Sequence, residues 1–166
     1  MLLSLSKIID CPGGTLPFHT SLDLHEETFG GCCPVTEPVQ CEGLIRNSAG
    51  VLLLTGTLRT TLHGICDRCA TDFQRAVDFP VEAILVTELA DEENESDWTF
   101  LLDGDNADLK EIMTTAFVLN MDSKLLCSED CEGLCSKCGK NLNDGPCDCR
   151  PETDPRLAAL AQLLNK

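Results

Sequence analysis

The sequence predicts an α+β fold: an antiparallel, barrel-like β-sheet, one helix packed on it, and a cysteine-rich C-terminal segment stapled by zinc. Three observations predict it. Apolar residues alternate with period two between Val35 and Val86, helical spacing takes over near Asp108, and six cysteines fall between Cys127 and Cys149. The 166 residues suffice to bury a core without obligatory cross-links. They divide into a sheet domain over 1–126, which carries an acidic loop and the helix, and a cysteine-rich zinc-binding segment with a final helix over 127–166.

The elements follow in order. MLLSLSKII and the stretch around TLPFHTSLDL are expected to extend the sheet or barrel. Val35, Val39, Cys41 and Ile45 share one face of the first alternating strand. NSAG at 47–50 supplies turn chemistry. Leu52, Leu54, Leu58 and Leu62 then share a face, as do Phe73, Val77, Phe79, Val81, Ala83 and Leu85 in the next strand, which together describe an antiparallel meander. Ten acidic residues against a single Lys lie between Glu88 and Glu111, and the part from Asp91 to Asp97 reads as a solvated loop rather than a docking patch. In DLKEIMTTAFVLNM the residues Leu109, Ile112, Met113, Ala116 and Phe117 repeat at helical spacing, with Asp108 and Glu111 as a capping pair. A last helix is expected from Asp154, with Pro155 in its first turn and Leu157, Leu160, Ala161 and Leu164 as its apolar stripe.

Composition narrows the chemistry. No apolar run approaches the roughly 18 residues of a membrane span, and MLLSLSKIIDCPGG lacks the basic stretch and longer apolar region of a secretory signal. The expected compartment is the cytoplasm, with no membrane contact. In a reducing compartment, twelve cysteines point to metal ligation or redox chemistry rather than disulfides. The net charge of −16 works against phosphate-led nucleic-acid binding, which draws its affinity from Lys and Arg releasing counterions. A basic protein partner suits it better.

Spacing sorts the cysteines. Cys66 and Cys69 in CDRC, and Cys135 and Cys138 in CSKCG, are each two residues apart, which lets one tight turn aim two thiolates at a single ion. Gly139 after the second pair is free to take positive φ; Ala70 stands in the matching place after the first. Cys147 and Cys149, reached across NLNDGP, complete a local C-x2-C-x8-C-x-C site. Cys127 and Cys131 are left to close a long-range site with Cys66 and Cys69. Other groupings stay open: one ion shared by Cys127, Cys131, Cys135 and Cys138, or an iron–sulfur cluster. A thioredoxin-like use of CDRC is disfavoured because a strand pattern, not a helix, follows it. A catalytic zinc would want His or carboxylate ligands, and His19, His25 and His63 form no such motif. Cys11, Cys32, Cys33 and Cys41 lack ligand spacing and read as packing or surface residues.

Taken in order, CDRC and its following strand, DGDNADLKEIM, LCSEDCEGLCSKCGKNLNDGPCDC and DPRLAALAQLL resemble the YceD family, the large ribosomal RNA subunit accumulation proteins. The resemblance spans roughly residues 50–165. It implies a non-enzymatic cytoplasmic factor in large-subunit biogenesis. Its expected partner is a ribosomal protein or large-subunit precursor, because family genes often lie beside one for a large-subunit ribosomal protein. Some family members lack the CxxCG…CxC part, which implies that the site of Cys66, Cys69, Cys127 and Cys131 is the more basic element. The chain departs from the family at NMDSKLLC, where a proline commonly precedes the first Cys. Two rival readings remain: a zinc-dependent RNA-binding module, suggested by Lys137 and Lys140 in CSKCGK, and a CxxC thiol oxidoreductase.

Overall fold

A long hairpin organises the molecule in the computed structural model, which describes residues 1–88 and 98–149. In chain order the strands are β1 (Leu2–Ser4), β2 (Thr15–Leu22), β3 (Val39–Ser48), β4 (Val51–Ile65), β5 (Asp72–Val86), β6 (Thr99–Leu101) and β7 (Asn106–Asp108), followed by the helix α1 (Leu109–Asn120). Strands β4 and β5 are each 15 residues long, so the hairpin reaches about 50 Å from end to end. Its far tip is the CDRC turn.

The alternation that marks the strands in the sequence is the alternation of burial. Leu52, Leu54, Leu58 and Leu62 face inward from β4, Val39, Cys41 and Ile45 from β3, and Val81, Ala83 and Leu85 from β5. Helix α1 lays Leu109, Ile112, Met113, Ala116 and Phe117 over that face. Phe117 is fully buried, with Phe29 and Phe79 meeting it edge to face at ring separations of 5.7 and 5.5 Å, an arrangement that suits the ring quadrupoles. Asp108 caps the helix by accepting from the Lys110 amide at 2.9 Å, and its carboxylate also holds the N-terminal ammonium at 2.7 Å.

Strands β3 and β4 are joined by a two-residue turn, Ala49 at φ 53° and Gly50 at φ 96°. Positive φ at both positions matches the right-handed twist of the strands they connect. Asn47, buried just before the turn, accepts from the Gly50 amide and donates to the carbonyls of Ile8 and Ile9, each at 2.8 Å. The turn is thereby tied to the N-terminal segment.

The structure corrects three expectations. The sheet is open, with order β2-β3-β4-β5-β6, not barrel-like: β6 is only three residues long and pairs with β5 in parallel, so no ladder returns to β2. MLLSLSKII does not extend this sheet; β1 pairs instead with β7 as a separate two-stranded ribbon. The first alternating strand begins at Val39 rather than Val35, because Pro38 cannot donate to a ladder; Val35 is still buried and makes one isolated bridge to Leu62. The acidic loop over 91–97 and the final helix expected from Asp154 lie outside the described residues.

Candidate metal centres

Two turns of identical design carry the CxxC pairs. In the first, the Cys66 amide donates to the Thr71 carbonyl at 2.9 Å and the Ala70 amide to the Cys66 carbonyl at 2.9 Å. In the second, the Cys135 amide donates to the Lys140 carbonyl at 2.8 Å and the Gly139 amide to the Cys135 carbonyl at 2.9 Å. Ala70 sits at φ 55° and Gly139 at φ 72°, so the alanine takes the left-handed conformation for which the glycine is suited. That conformation costs an L-residue about 1 kcal/mol. Ala70→Gly is therefore expected to stabilise the chain by no more than about 0.6 kcal/mol after the greater freedom of glycine in the unfolded state is subtracted, read as a higher denaturant midpoint; Gly139→Ala should move it the other way.

The hairpin tip closes on the chain that leaves α1. Asp67 exchanges two hydrogen bonds with Leu125, its amide donating to the Leu125 carbonyl at 2.8 Å and its carboxylate accepting from the Leu125 amide at 2.7 Å. Arg68 donates to the carbonyls of Glu129 at 3.2 Å and Cys131 at 3.0 Å. These contacts place Cys127 and Cys131 against the first turn. The Cys66 and Cys131 sulfurs are 3.7 Å apart, as are those of Cys69 and Cys127, and all four lie within 4.8 Å of one another. Cys135, Cys138, Cys147 and Cys149 form a second group of the same tightness. The structure thus assembles two quartets, and the grouping of Cys127, Cys131, Cys135 and Cys138 around one ion does not occur. Asp67 escaped the sequence reading, and Arg68, expected there at most to stabilise a thiolate, instead donates to the carbonyls of the chain after α1.

The donor sets fit a tetrahedral ion. Four sulfurs about 2.3 Å from a central zinc would stand about 3.8 Å apart, close to the observed 3.7 Å and far from the ~2.05 Å of a disulfide. Without an ion the thiols divide protons unevenly. Burial pushes Cys66 up, yet the amides of Cys127, Cys69 and Arg68 donating to its sulfur outweigh that and bring it down to about 6. The amides of Cys138 and Lys137 likewise lower Cys135 to about 6. Burial and the neighbouring thiols hold Cys127 up at about 12, and hydrogen bonding to Cys138 together with burial does the same for Cys149. A metal must displace those protons, so uptake releases protons and weakens as pH falls.

The other sequence candidates stand apart from both quartets. Cys11, Cys32 and Cys33 are exposed, and Cys41 is buried on β3 with its thiol pushed up to about 11 by burial. Alkylation of the native protein at pH 8 should modify Cys11, Cys32 and Cys33 and leave Cys41 unlabelled, which peptide mass spectrometry would read directly. His19 is exposed on β2, His63 lies half-buried on β4, and His25 pairs with Asp23 at 2.6 Å on the surface.

A family model described as "Large ribosomal RNA subunit accumulation protein YceD" matches residues 54–164. The chain belongs to the YceD family. The matched region holds the hairpin, the helix and all eight clustered cysteines, and leaves β1 to β3 outside. Among curated relatives, uncharacterised proteins of Mycobacterium tuberculosis and Mycobacterium bovis are each 30% identical over 119 residues, covering 70% of this chain and 57% of theirs. A chloroplast YCED homolog of Arabidopsis thaliana, named as a large ribosomal RNA subunit accumulation protein, is 27% identical over 159 residues, covering 78% of this chain and 50% of its own. The chain thus spans about half the length of these relatives. No solved structure matches it.

Proposed function

We propose that the chain supports accumulation of large-subunit ribosomal RNA as a non-enzymatic assembly factor, acting through a basic protein partner such as a ribosomal protein or large-subunit precursor. The match of the YceD model over residues 54–164 carries this reading. Charge supports the choice of partner: the chain is at −16, and each zinc held by four thiolates adds about −2. A surface this acidic repels phosphate and attracts Lys and Arg.

In this reading both quartets hold zinc as structural staples, since all-sulfur tetrahedral sites with no open position suit zinc. The quartet of Cys66, Cys69, Cys127 and Cys131 would fasten the segment after α1 to the hairpin tip, and that of Cys135, Cys138, Cys147 and Cys149 would close the loop that follows. Cytoplasmic action fits free thiols, and among the described residues no helix is long and apolar enough to cross a membrane. The RNA-binding alternative draws on Lys137 and Lys140, but Lys140 donates to the Pro146 carbonyl at 2.8 Å and so is engaged in holding its own knuckle. The oxidoreductase alternative needs Cys66 and Cys69 to act as an isolated pair, whereas the structure gathers them with Cys127 and Cys131 into one quartet of sulfurs within 4.8 Å of one another.

Depletion of the protein in cells is expected to lower large-subunit ribosomal RNA and skew subunit profiles, and affinity capture should retain a basic ribosomal protein. Unchanged subunit profiles would sink the reading. Elemental analysis of protein purified without added metal should return about two zinc ions per chain.

A further inference from the structure

Between the two quartets lies a hydrogen-bond relay that neither the family match nor the ligand spacing assigns. It centres on Asn143, in the short 3-10 turn Leu142–Asp144. This turn belongs to the loop that Cys138 and Cys147 close, yet Asn143 faces the other quartet. Its Nδ2 donates to the Cys131 sulfur at 3.3 Å and to Asn141 Oδ1 at 2.7 Å, while its Oδ1 accepts from the Glu132 amide at 2.8 Å. Both ends of the amide are thereby satisfied, and only one orientation of the side chain does this. Around it, the Leu142 amide donates to the Gly133 carbonyl at 2.9 Å, and the Leu134 amide donates to the Arg68 carbonyl at 3.2 Å, inside the first CxxC turn. Gly133, at φ 77°, lets this chain lie flat on the turn: a Cβ there would stand 3.0 Å from the Arg68 oxygen.

We propose that the two quartets load metal cooperatively, with Asn143 as the positioning residue through which the local site (Cys135, Cys138, Cys147, Cys149) strengthens the long-range one (Cys66, Cys69, Cys127, Cys131). The physical reason is direct. A donor N–H on a ligating sulfur disperses thiolate charge and fixes the ligand's orientation, and loss of such a partner typically costs about 10- to 100-fold in metal affinity. Asn143 can hold that donor in place only when the loop between Cys138 and Cys147 is closed, and metal closes it. By linkage, an ion in one site then raises affinity at the other by the same factor in both directions. This inference rests on the metal-binding reading of the quartets.

Cobalt(II) is the probe, because its thiolate charge-transfer and d–d bands report tetrahedral sulfur sites. The reduced full-length chain, loaded with cobalt, is titrated against a chelator, with the long-range site isolated by comparison with Cys135→Ser/Cys138→Ser. In that double variant the remaining ion should bind at least about tenfold more weakly than the long-range ion of the parent. Asn143→Ala should weaken the long-range site to a similar degree, while the local site, measured with the long-range site emptied by Cys66→Ser/Cys69→Ser, keeps its affinity. Asn143→Asp retains the acceptor for the Glu132 amide but removes the donor to sulfur, so it should behave like Asn143→Ala; if Asp preserved affinity, the role of Asn143 would be backbone bracing and the proposal would fall. Equal long-range affinity in the parent and the double variant would overturn the coupling alone. A chain that showed no cobalt–thiolate band would overturn the metal reading with it.

Discussion

Cys131→Ser is expected to remove one of two metal ions and release the segment after α1 from the hairpin tip, while the sheet stays folded. Cys131 is 4% exposed, its sulfur lies 3.7 Å from that of Cys66, and its carbonyl is held by Arg68. A serine hydroxyl does not ionise at neutral pH, so the substitution leaves three thiolates around a dication and a buried hydroxyl without its metal bond. The apolar support for this region is small: among the described residues, Phe73, Leu126 and Cys127 are the partly buried apolar side chains packed against the Cys66, Cys69 and Cys131 cluster. With zinc in this quartet as proposed, its binding would supply roughly 10–16 kcal/mol on the scale of small zinc peptides, as much as the whole stability of a typical domain at about 5–15 kcal/mol, and the small apolar cluster could not substitute for it. Metal content should fall from two ions to one. Limited proteolysis should cut between Lys124 and Cys149, and far-UV circular dichroism of the sheet should persist. A protease-resistant segment with full metal content would refute the staple.

The sequence made some of this legible because the relevant physics is local. Burial on β4 follows Leu52, Leu54, Leu58 and Leu62, and burial on α1 follows Leu109, Ile112, Met113, Ala116 and Phe117, since both depend on periodicity alone. The quartets were legible for a similar reason: a two-residue gap between cysteines already implies a turn, and elimination pairs the remainder. What escaped depends on contacts between distant segments. Barrel closure was an overextension, because alternation says which face is buried and not whether the first and last strands meet. Strands β1 and β7 are three residues each, too short to show a period. Asn143 carries no spacing signature, and its use emerges only when the loop folds back on Cys131. Gly43 and Gly56 were invisible in the same way: in sequence they are gaps in an alternating pattern, and only the register places them opposite each other.

That pairing sets up the second large effect. Gly43→Ala is expected to destabilise the whole sheet by about 3 kcal/mol, at the upper end of the usual cost of overpacking. A Cβ on Gly43 would stand 2.3 Å from the Thr55 carbonyl oxygen, 2.7 Å from the Gly56 Cα and 2.9 Å from the Phe18 ring. The two nearest atoms are backbone, so relief requires β3 and β4 to move apart, against a ladder paired from Gln40–Arg59 to Ser48–Val51. Phe18 lies over both glycines and fills the space that side chains would otherwise occupy. For a chain of this size the cost corresponds to a drop of roughly 10 °C in the unfolding midpoint. Shortening the ring with Phe18→Leu should not rescue Gly43→Ala; rescue would mean that the ring, not the backbone, makes the clash. Nine residues of extended β4 lie between Gly56 and Cys66, which places them roughly 33 Å apart. The folded fraction of Gly43→Ala should therefore still bind two ions, in contrast to Cys131→Ser, which loses an ion and keeps its sheet. Opposite outcomes in these two variants would separate the strand packing that supports the hairpin from the thiolates that fasten its tip.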